Sequence, residues 1–209
     1  MRLLVLLISI PFCGSLAAIE IDSGDFDSTE SFQFTSEEDN LTIKWDAGGT
    51  TAQLDLQFIQ RRGGTPAAPL IKSLGLDGTT IMEGLDPNYL FWVGDRDLEK
   101  QPDGWMIFFD RVPTRPYSVE KGYLTPRNVS VSSEGNRATI EIDGLKSTHF
   151  SGSLIFILYE GSPFIHMEAR VSTKRDATAF LYHVGLGKPK TIGHRLNWID
   201  SNGNPQSSD

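Results

Sequence analysis

The sequence predicts an all-β protein, an antiparallel β-sandwich. Apolar and polar residues alternate with a period of two in several short segments. Clusters of Gly, Pro, Asn and Asp separate these segments as turns do. After residue 17, no segment keeps apolar residues at helical spacing for three turns. Roughly ten such strands are typical of a sandwich or a large barrel.

Each strand is predicted from its own pattern. The first two alternate cleanly, at 41–45 and 52–58, with Leu and Phe on one face. Two aromatic-rich runs follow at 88–95 and 104–111, bounded by turn residues. The remaining predicted elements are hairpins at 128–143 and 152–173 and strands at 179–186 and 196–200.

Residues 1–17 predict export. Met1 and Arg2 precede an apolar stretch, and small residues before Ala17 suit cleavage there. The apolar stretch is too short to remain as a membrane-spanning helix, so no membrane anchor is expected after cleavage. A periplasmic or extracellular location follows. Cleavage also removes Cys13, the only cysteine, so disulfides and cysteine-based metal sites are excluded.

The acidic balance of the chain is local. The protein has 27 acids, 19 Lys and Arg and a net charge of −8. Ten acids and a single base, Lys44, fall within 19–55. Residues 56–209 contain 17 acids and 17 bases, and the remaining base is Arg2. The segment 18–30 is therefore predicted to be an acidic linker, with a calcium-binding arm as the alternative. The sandwich domain is expected at 31–209. This charge balance argues against a nucleic-acid partner.

The end of the chain predicts a missing partner strand. The strand at 196–200 is followed by the polar sequence SNGNPQSSD, which is typical of a turn. We therefore expect the pairing strand after Asp209, in a further part or C-terminal domain that this sequence lacks.

One polar row is a candidate ligand site. In the strand after the 160–163 turn, His166, Glu168 and Arg170 share one face and apolar residues take the other. Such groups can transfer protons and bind hydroxyls. His149 and His183 are candidates to converge on this row. The alternative is an ordinary solvent-exposed sheet face.

A second candidate lies at the end of the 88–95 strand. Trp92 and Asp95 stand beside a D-x-D-x-E cluster, and Arg111 follows in the next aromatic run. Aromatic rings can stack on sugars, and carboxylates can bind hydroxyls. The alternatives are that Trp92 is a core residue and that Asp95 pairs with Arg96 or Arg111. The four His lack metal-site spacing and no cofactor motif is present, so no metal or cofactor is expected.

The hairpin sequence FSGSLIFILYEGSPFIHMEARVS, residues 150–172, resembles the central hairpin of galactose-mutarotase-like supersandwich domains. The resemblance implies a carbohydrate-active secreted protein. Epimerases of that class use two His and a Glu. His166 and Glu168 are too close together on one strand to match that set, so the resemblance assigns no catalytic residue.

Two functions remain as hypotheses. The first is an exported domain that binds or processes carbohydrate within a larger glycan-active protein. The second is a non-catalytic structural or protein-interaction module. Whether the chain is an enzyme is left open by its sequence.

Overall fold

The computed structural model describes five ranges of the chain: residues 19–29, 31–59, 67–96, 116–187 and 196–208. Every regular element in these ranges is a strand, and several antiparallel sheets pack together. The predicted all-β sandwich is therefore confirmed. The predicted signal peptide (1–17), the predicted strand at 104–111 and the candidate residue Arg111 lie outside the described residues.

The strands extend beyond the set that the sequence predicts, because several short polar strands also pair. They are β1 (Glu20–Asp25), β2 (Phe32–Glu37), β3 (Asn40–Asp46), β4 (Thr51–Gln57), β5 (Ile71–Leu76), β6 (Thr79–Leu85), β7 (Pro87–Asp95), β8 (Tyr117–Leu124), β9 (Asn128–Glu134), β10 (Arg137–Lys146), β11 (Ser151–Tyr159), β12 (Ile165–Ser172), β13 (Thr178–Leu186), β14 (Leu196–Ile199) and β15 (Pro205–Ser208).

One layer is a five-stranded antiparallel sheet in which β2 to β6 follow one another in sequence order. Its central strands bury every second side chain, including Leu41, Ile43 and Trp45 on β3. The β5–β6 turn places Asp77 and Gly78 at positive φ, as a two-residue hairpin turn requires.

The other layer is an eight-stranded sheet that divides at β10. One edge of β10 pairs with β11, which in turn pairs with β12. On its opposite edge, the first part of β10 pairs with β9, whereas Leu145 and Lys146 pair with β8. The change of partner occurs at Gly144, which has a φ of 110°. A Cβ atom there would lie 1.9 Å from the Thr125 carbonyl oxygen, so only glycine fits.

The buried core lies between these two sheets and draws side chains from both. A hydrogen bond also joins the layers: the Trp45 indole N–H donates to the Ser162 carbonyl oxygen at 2.7 Å. The largest fully buried side chains are Tyr89, Phe32, Phe156, Leu41, Ile43, Leu54, Leu56, Leu85, Ile140, Ile142, Leu145 and Leu154.

The predicted acidic linker at 18–30 is wrong for the part that forms β1. Residues Glu20–Asp25 pair in parallel with β9 and extend the larger sheet. Ile19, Ile21 and Phe26 pack against the core, while the acids between them face solvent. Alternating apolar residues and backbone pairing thus order a segment whose charge alone indicated a linker.

The expectation that the last strand lacks a partner is also wrong. β14 pairs with β15, so the polar sequence after Ile199 contains both the turn and the returning strand. Asp200 organises this turn, since its carboxylate accepts hydrogen bonds from the backbone N–H groups of Asn202 and Asn204, each at 2.9 Å. These hydrogen bonds, that from Asn204 first, lower the pKa of Asp200 despite its partial desolvation.

Candidate functional site

The strands β13, β7 and β8 form the part of the larger sheet where most aromatic and titratable candidates gather. β7 pairs with β13 along one edge and with β8 along the other. Successive side chains therefore point to opposite faces. We call the face that continues the buried core the inner face and the opposite one the outer face.

The outer face carries an aromatic platform, which we define as Trp92, Tyr117 and His183. Trp92 stacks on Tyr117 with ring centroids 5.2 Å apart and an interplanar angle of 18°. His183 lies on the other side, with its ring centroid 5.1 Å from that of Trp92. The three residues come from three neighbouring strands. Tyr117 is 44% exposed and His183 is exposed, whereas Trp92 is partly buried, so the platform faces solvent through Tyr117 and His183.

The platform continues along the outer face of β8 through Val119, Lys121 and Tyr123. All three side chains are exposed, and the Lys121 ammonium lies 5.6 Å from the centroid of the Tyr123 ring. Tyr123 lies six positions after Tyr117, which is roughly 20 Å along an extended strand. Lys121 and Tyr123 also border a cavity of about 160 Å³ whose walls include Phe58 and Leu70.

The inner face holds a buried carboxylate, Glu120, with three donors around it. Its Oε2 atom accepts a hydrogen bond from the Ser147 hydroxyl at 2.8 Å and one from the His149 backbone N–H at 3.0 Å. The His149 ring bonds to Oε1 through Nδ1. Burial raises the pKa of the Glu120 carboxyl, but the hydrogen bonds from His149 and Ser147 outweigh it, so the net shift is downward.

Two further charged residues extend the Glu120 cluster toward solvent. The guanidinium of Arg175 lies 3.4 Å from Nε2 of His149 and pairs with the Asp95 carboxylate. An ionised carboxylate only accepts and an arginine only donates. We therefore assign a proton to Nδ1 of His149, which donates it in the hydrogen bond to Glu120. This arrangement joins the loops after β10 and β12 to the end of β7.

Aromatic rings pack beside the Glu120 cluster. Phe150, the neighbour of His149, stacks on Phe91 with centroids 5.0 Å apart, and Phe180 of β13 lies 5.0 Å from Phe150. Phe91 is directly opposite Glu120 in the β7–β8 register. These contacts place the cluster at the margin of the core, where the inner face begins to open toward solvent.

The predicted polar row forms on β12 as the alternation indicates. Ile165, Met167, Ala169 and Val171 pack against the core, and the polar row takes the opposite face. Glu168 lies 3.5 Å from His166 and 3.7 Å from Arg170, which also pairs with Glu141. The side chains of His166 and Arg170 are more than half exposed, so these ion pairs are surface pairs of small energetic value.

The structure thus divides the predicted site residues into three groups. Trp92 and His183 meet in the aromatic platform, and His149 and Asp95 are joined through Arg175. The polar row stands apart from both: His149 contacts Glu120 and Arg175, and His183 contacts Trp92, instead of any member of the row.

The sequence interpretation missed Tyr117, Glu120 and Arg175, which complete the two clusters. Tyr117 and Glu120 lie on β8. The alternation of this strand is weak, because Lys121 interrupts the apolar row on one face and Gly122 contributes no side chain to the other. The signal that was available is the alternation of Tyr117, Val119 and Tyr123. Arg175 lies in a loop, and no local pattern pairs it with Asp95.

Comparison with known proteins adds nothing to this geometry. No protein-family model, curated protein or solved structure matches the chain. Within the described ranges, no three His, Cys, Asp or Glu side chains are grouped so as to hold a metal ion. Those ranges also contain no helix with the length and apolarity to cross a bilayer.

Proposed function

We propose that this protein is an exported domain that binds carbohydrate on the aromatic platform, as one part of a larger glycan-active protein. The observation that carries the proposal is the cluster of three aromatic rings on the outer sheet face, in which Tyr117 and His183 are exposed. The C–H faces of sugar rings pack well on flat aromatic surfaces, since both burial and ring polarity favour the contact.

Polar groups around the platform supply the hydrogen bonds that orient a sugar. The His183 imidazole both donates and accepts, and the Lys121 ammonium donates to hydroxyl or carboxylate oxygens. The exposed row from Tyr117 to Tyr123 has room for several sugar units, with an aromatic ring at each end. An extended oligosaccharide lying along β8 is therefore the ligand that this face suits best.

The processing of a glycan would need a group for proton transfer. An imidazole can have that chemistry, but the two ring nitrogens of His149 bond to Glu120 and Arg175. His149 also belongs to the inner face, whereas the platform belongs to the outer face of the same strands. The proposal is therefore for binding on the platform, with no catalytic step assigned to it.

A binding experiment with one platform variant and one matched control tests the proposal. Calorimetric titration against neutral and acidic oligosaccharides should show binding by the wild-type protein. The variant Tyr117→Ala should weaken it about tenfold, which corresponds to about 1.4 kcal/mol. The control is Phe164→Ala, which removes an aromatic ring that is 80% exposed outside the platform. Absence of binding to every oligosaccharide, or equal losses in the two variants, would exclude the platform as a sugar site.

A second candidate function is favoured by a different observation. The inner face of β13 exposes a row of apolar side chains that no described strand covers, which is typical of a protein-interaction surface. A non-catalytic interaction module would use this row and leave the platform free. The two functions are compatible because they use opposite faces of the strand.

A further inference from the structure

Among the described residues, β13 is the last strand of the larger sheet on the β7 side. It pairs with β7 along all nine residues, and among the described residues it has no other strand partner. Its inner face presents Phe180, Tyr182, Val184 and Leu186, which are 38%, 64%, 45% and 46% exposed. The equivalent row of its neighbour β7 is buried, so the apolar surface of the core continues onto β13, where Phe180 packs on Phe150 and the other three side chains are more exposed.

The sequence of β13 has none of the features that usually prevent edge strands from pairing. The segment TAFLYHVGL contains no Asp, Glu, Lys, Arg or Pro. Edge strands are commonly protected by charged side chains, proline, bulges or short length. Its register with β7 runs over the whole strand with no bulge. β13 is therefore a long, regular edge with an apolar face.

We infer that β13 pairs antiparallel with β13 of a second copy of this chain, about a two-fold axis at Tyr182. The strand is self-complementary in this register. Tyr182 would face Tyr182 of the second copy, and Phe180 would face its Val184, which are aromatic and aromatic–β-branched pairs that stabilise sheets. No charged residue opposes a like charge, because the strand has none. A two-fold interface of this kind is closed, so it gives a dimer and no fibre.

The dimer would join the two larger sheets into one continuous sheet and place the two apolar rows side by side on its inner face. It would also bring together the outer faces of the two β13 strands. His183 of each copy would then lie next to Leu181 of the other, so the two aromatic platforms would adjoin across the axis. The pairing does not rest on carbohydrate binding. If both are present, a long glycan would contact two platforms at once and bind with avidity.

Sedimentation velocity over a concentration series tests the inference without any glycan. The wild-type protein should form a dimer at micromolar concentration. The variant Tyr182→Lys places like charges opposite each other at the axis and should raise the dissociation constant at least a hundredfold. The control is Tyr123→Lys, a similarly exposed tyrosine on β8, which should leave the dimer intact. A wild-type monomer at 100 µM (roughly the upper limit for a specific weak pair), or a dimer unchanged by Tyr182→Lys, would overturn the inference.

A cross-linking experiment tests the register and does not depend on the lysine variant folding well. Directly opposite residues in an antiparallel pair have Cα atoms about 4.5–5.5 Å apart, within the range that a disulfide bridges. In a Cys13→Ser background, Tyr182→Cys should oxidise to a covalent dimer. Val119→Cys, exposed on the outer face of β8, should not. Failure of Tyr182→Cys to cross-link while the protein is dimeric would place the interface elsewhere and exclude the proposed one.

Discussion

The strands β11 and β13 have equal length and similar apolar character, yet they have opposite environments. Both contain nine residues and carry large apolar side chains along the inner face. The inner row of β11, Leu154, Phe156 and Leu158, is fully buried, whereas the inner row of β13 is exposed. β11 has a strand on each edge, while β13 has one described strand partner, β7.

The difference shows that position in the sheet, and not strand sequence, decides burial. β11 pairs with β10 and β12 and faces the five-stranded sheet across the core. β13 has the same kind of apolar row but no described strand beyond it. An exposed apolar row, such as that of β13, is available for binding. A buried apolar row, such as that of β11, stabilises the fold. The predictions below separate these two roles.

The largest effect is expected from truncating the covered row. Phe156→Ala leaves a cavity between the two sheets and should lower the free energy of unfolding by about 3–5 kcal/mol. Tyr182→Ala on β13 should change the stability of the monomer by less than about 0.5 kcal/mol, because that ring is largely exposed. Urea denaturation below the dimer dissociation constant measures both. Similar losses in the two variants would show that β13 is covered in solution.

A smaller loss is expected where the two parts of the larger sheet meet. Gly144→Ala forces a side chain into left-handed backbone against the Thr125 carbonyl, and should cost about 3 kcal/mol. Gly135→Ala is a fitting control, since Gly135 also has positive φ but has no atom near its missing Cβ. We expect it to cost only about 1 kcal/mol in thermal or urea unfolding. Equal costs would mean that the close approach to Thr125 is unimportant.

The third effect concerns the Glu120 cluster, which ties the β13–β7–β8 region to the loops after β10 and β12. Glu120→Gln replaces a carboxylate that accepts three hydrogen bonds by an amide that cannot serve the same donors. It should lower the free energy of unfolding by about 1–3 kcal/mol at neutral pH. The control Glu168→Gln, in the exposed polar row, should change it by less than about 0.5 kcal/mol.

The same variant has a characteristic pH dependence. The pKa of Glu120 is lowered in the folded protein, so its ionised form stabilises the fold above the ordinary glutamate pKa of about 4.3. That contribution is lost as pH falls through the lowered pKa. The wild-type and Glu120→Gln proteins should therefore differ in stability at neutral pH and converge in acid. A constant difference across pH 3–7 (roughly the range that spans this transition) would contradict the ionised state assigned to Glu120.

Much of the fold follows from local patterns in the sequence. The strands β3, β4 and β7 and the β9–β10 and β11–β12 hairpins were predicted from alternation and turn residues. The β5–β6 hairpin was missed although Asp77 and Gly78 form one of the strongest hairpin signals. β1 was missed because its acids suggested a solvated linker, whereas its isoleucines pack on the core.

The candidate site was predicted only in part, for a geometrical reason. Trp92 and His183 are 91 positions apart, and only the β7–β13 register brings them together. His149 was expected beside the polar row on β12, but its loop turns toward β8, where the Glu120 carboxylate accepts a hydrogen bond from its ring. Residue type indicated which side chains could act, and strand pairing determined which of them meet.

The sequence by itself determined the fold class, since side-chain alternation and turn residues act over a few positions. It also determined the two faces of each strand, as the clean separation on β12 illustrates. Only the tertiary structure decided the order of strands in the larger sheet, and therefore which apolar row is covered. The physical reason is that pairing depends on contacts between segments far apart in the chain. β11 and β13 carry comparable apolar rows, and their places among the described strands make one a core strand and the other the last strand of its sheet.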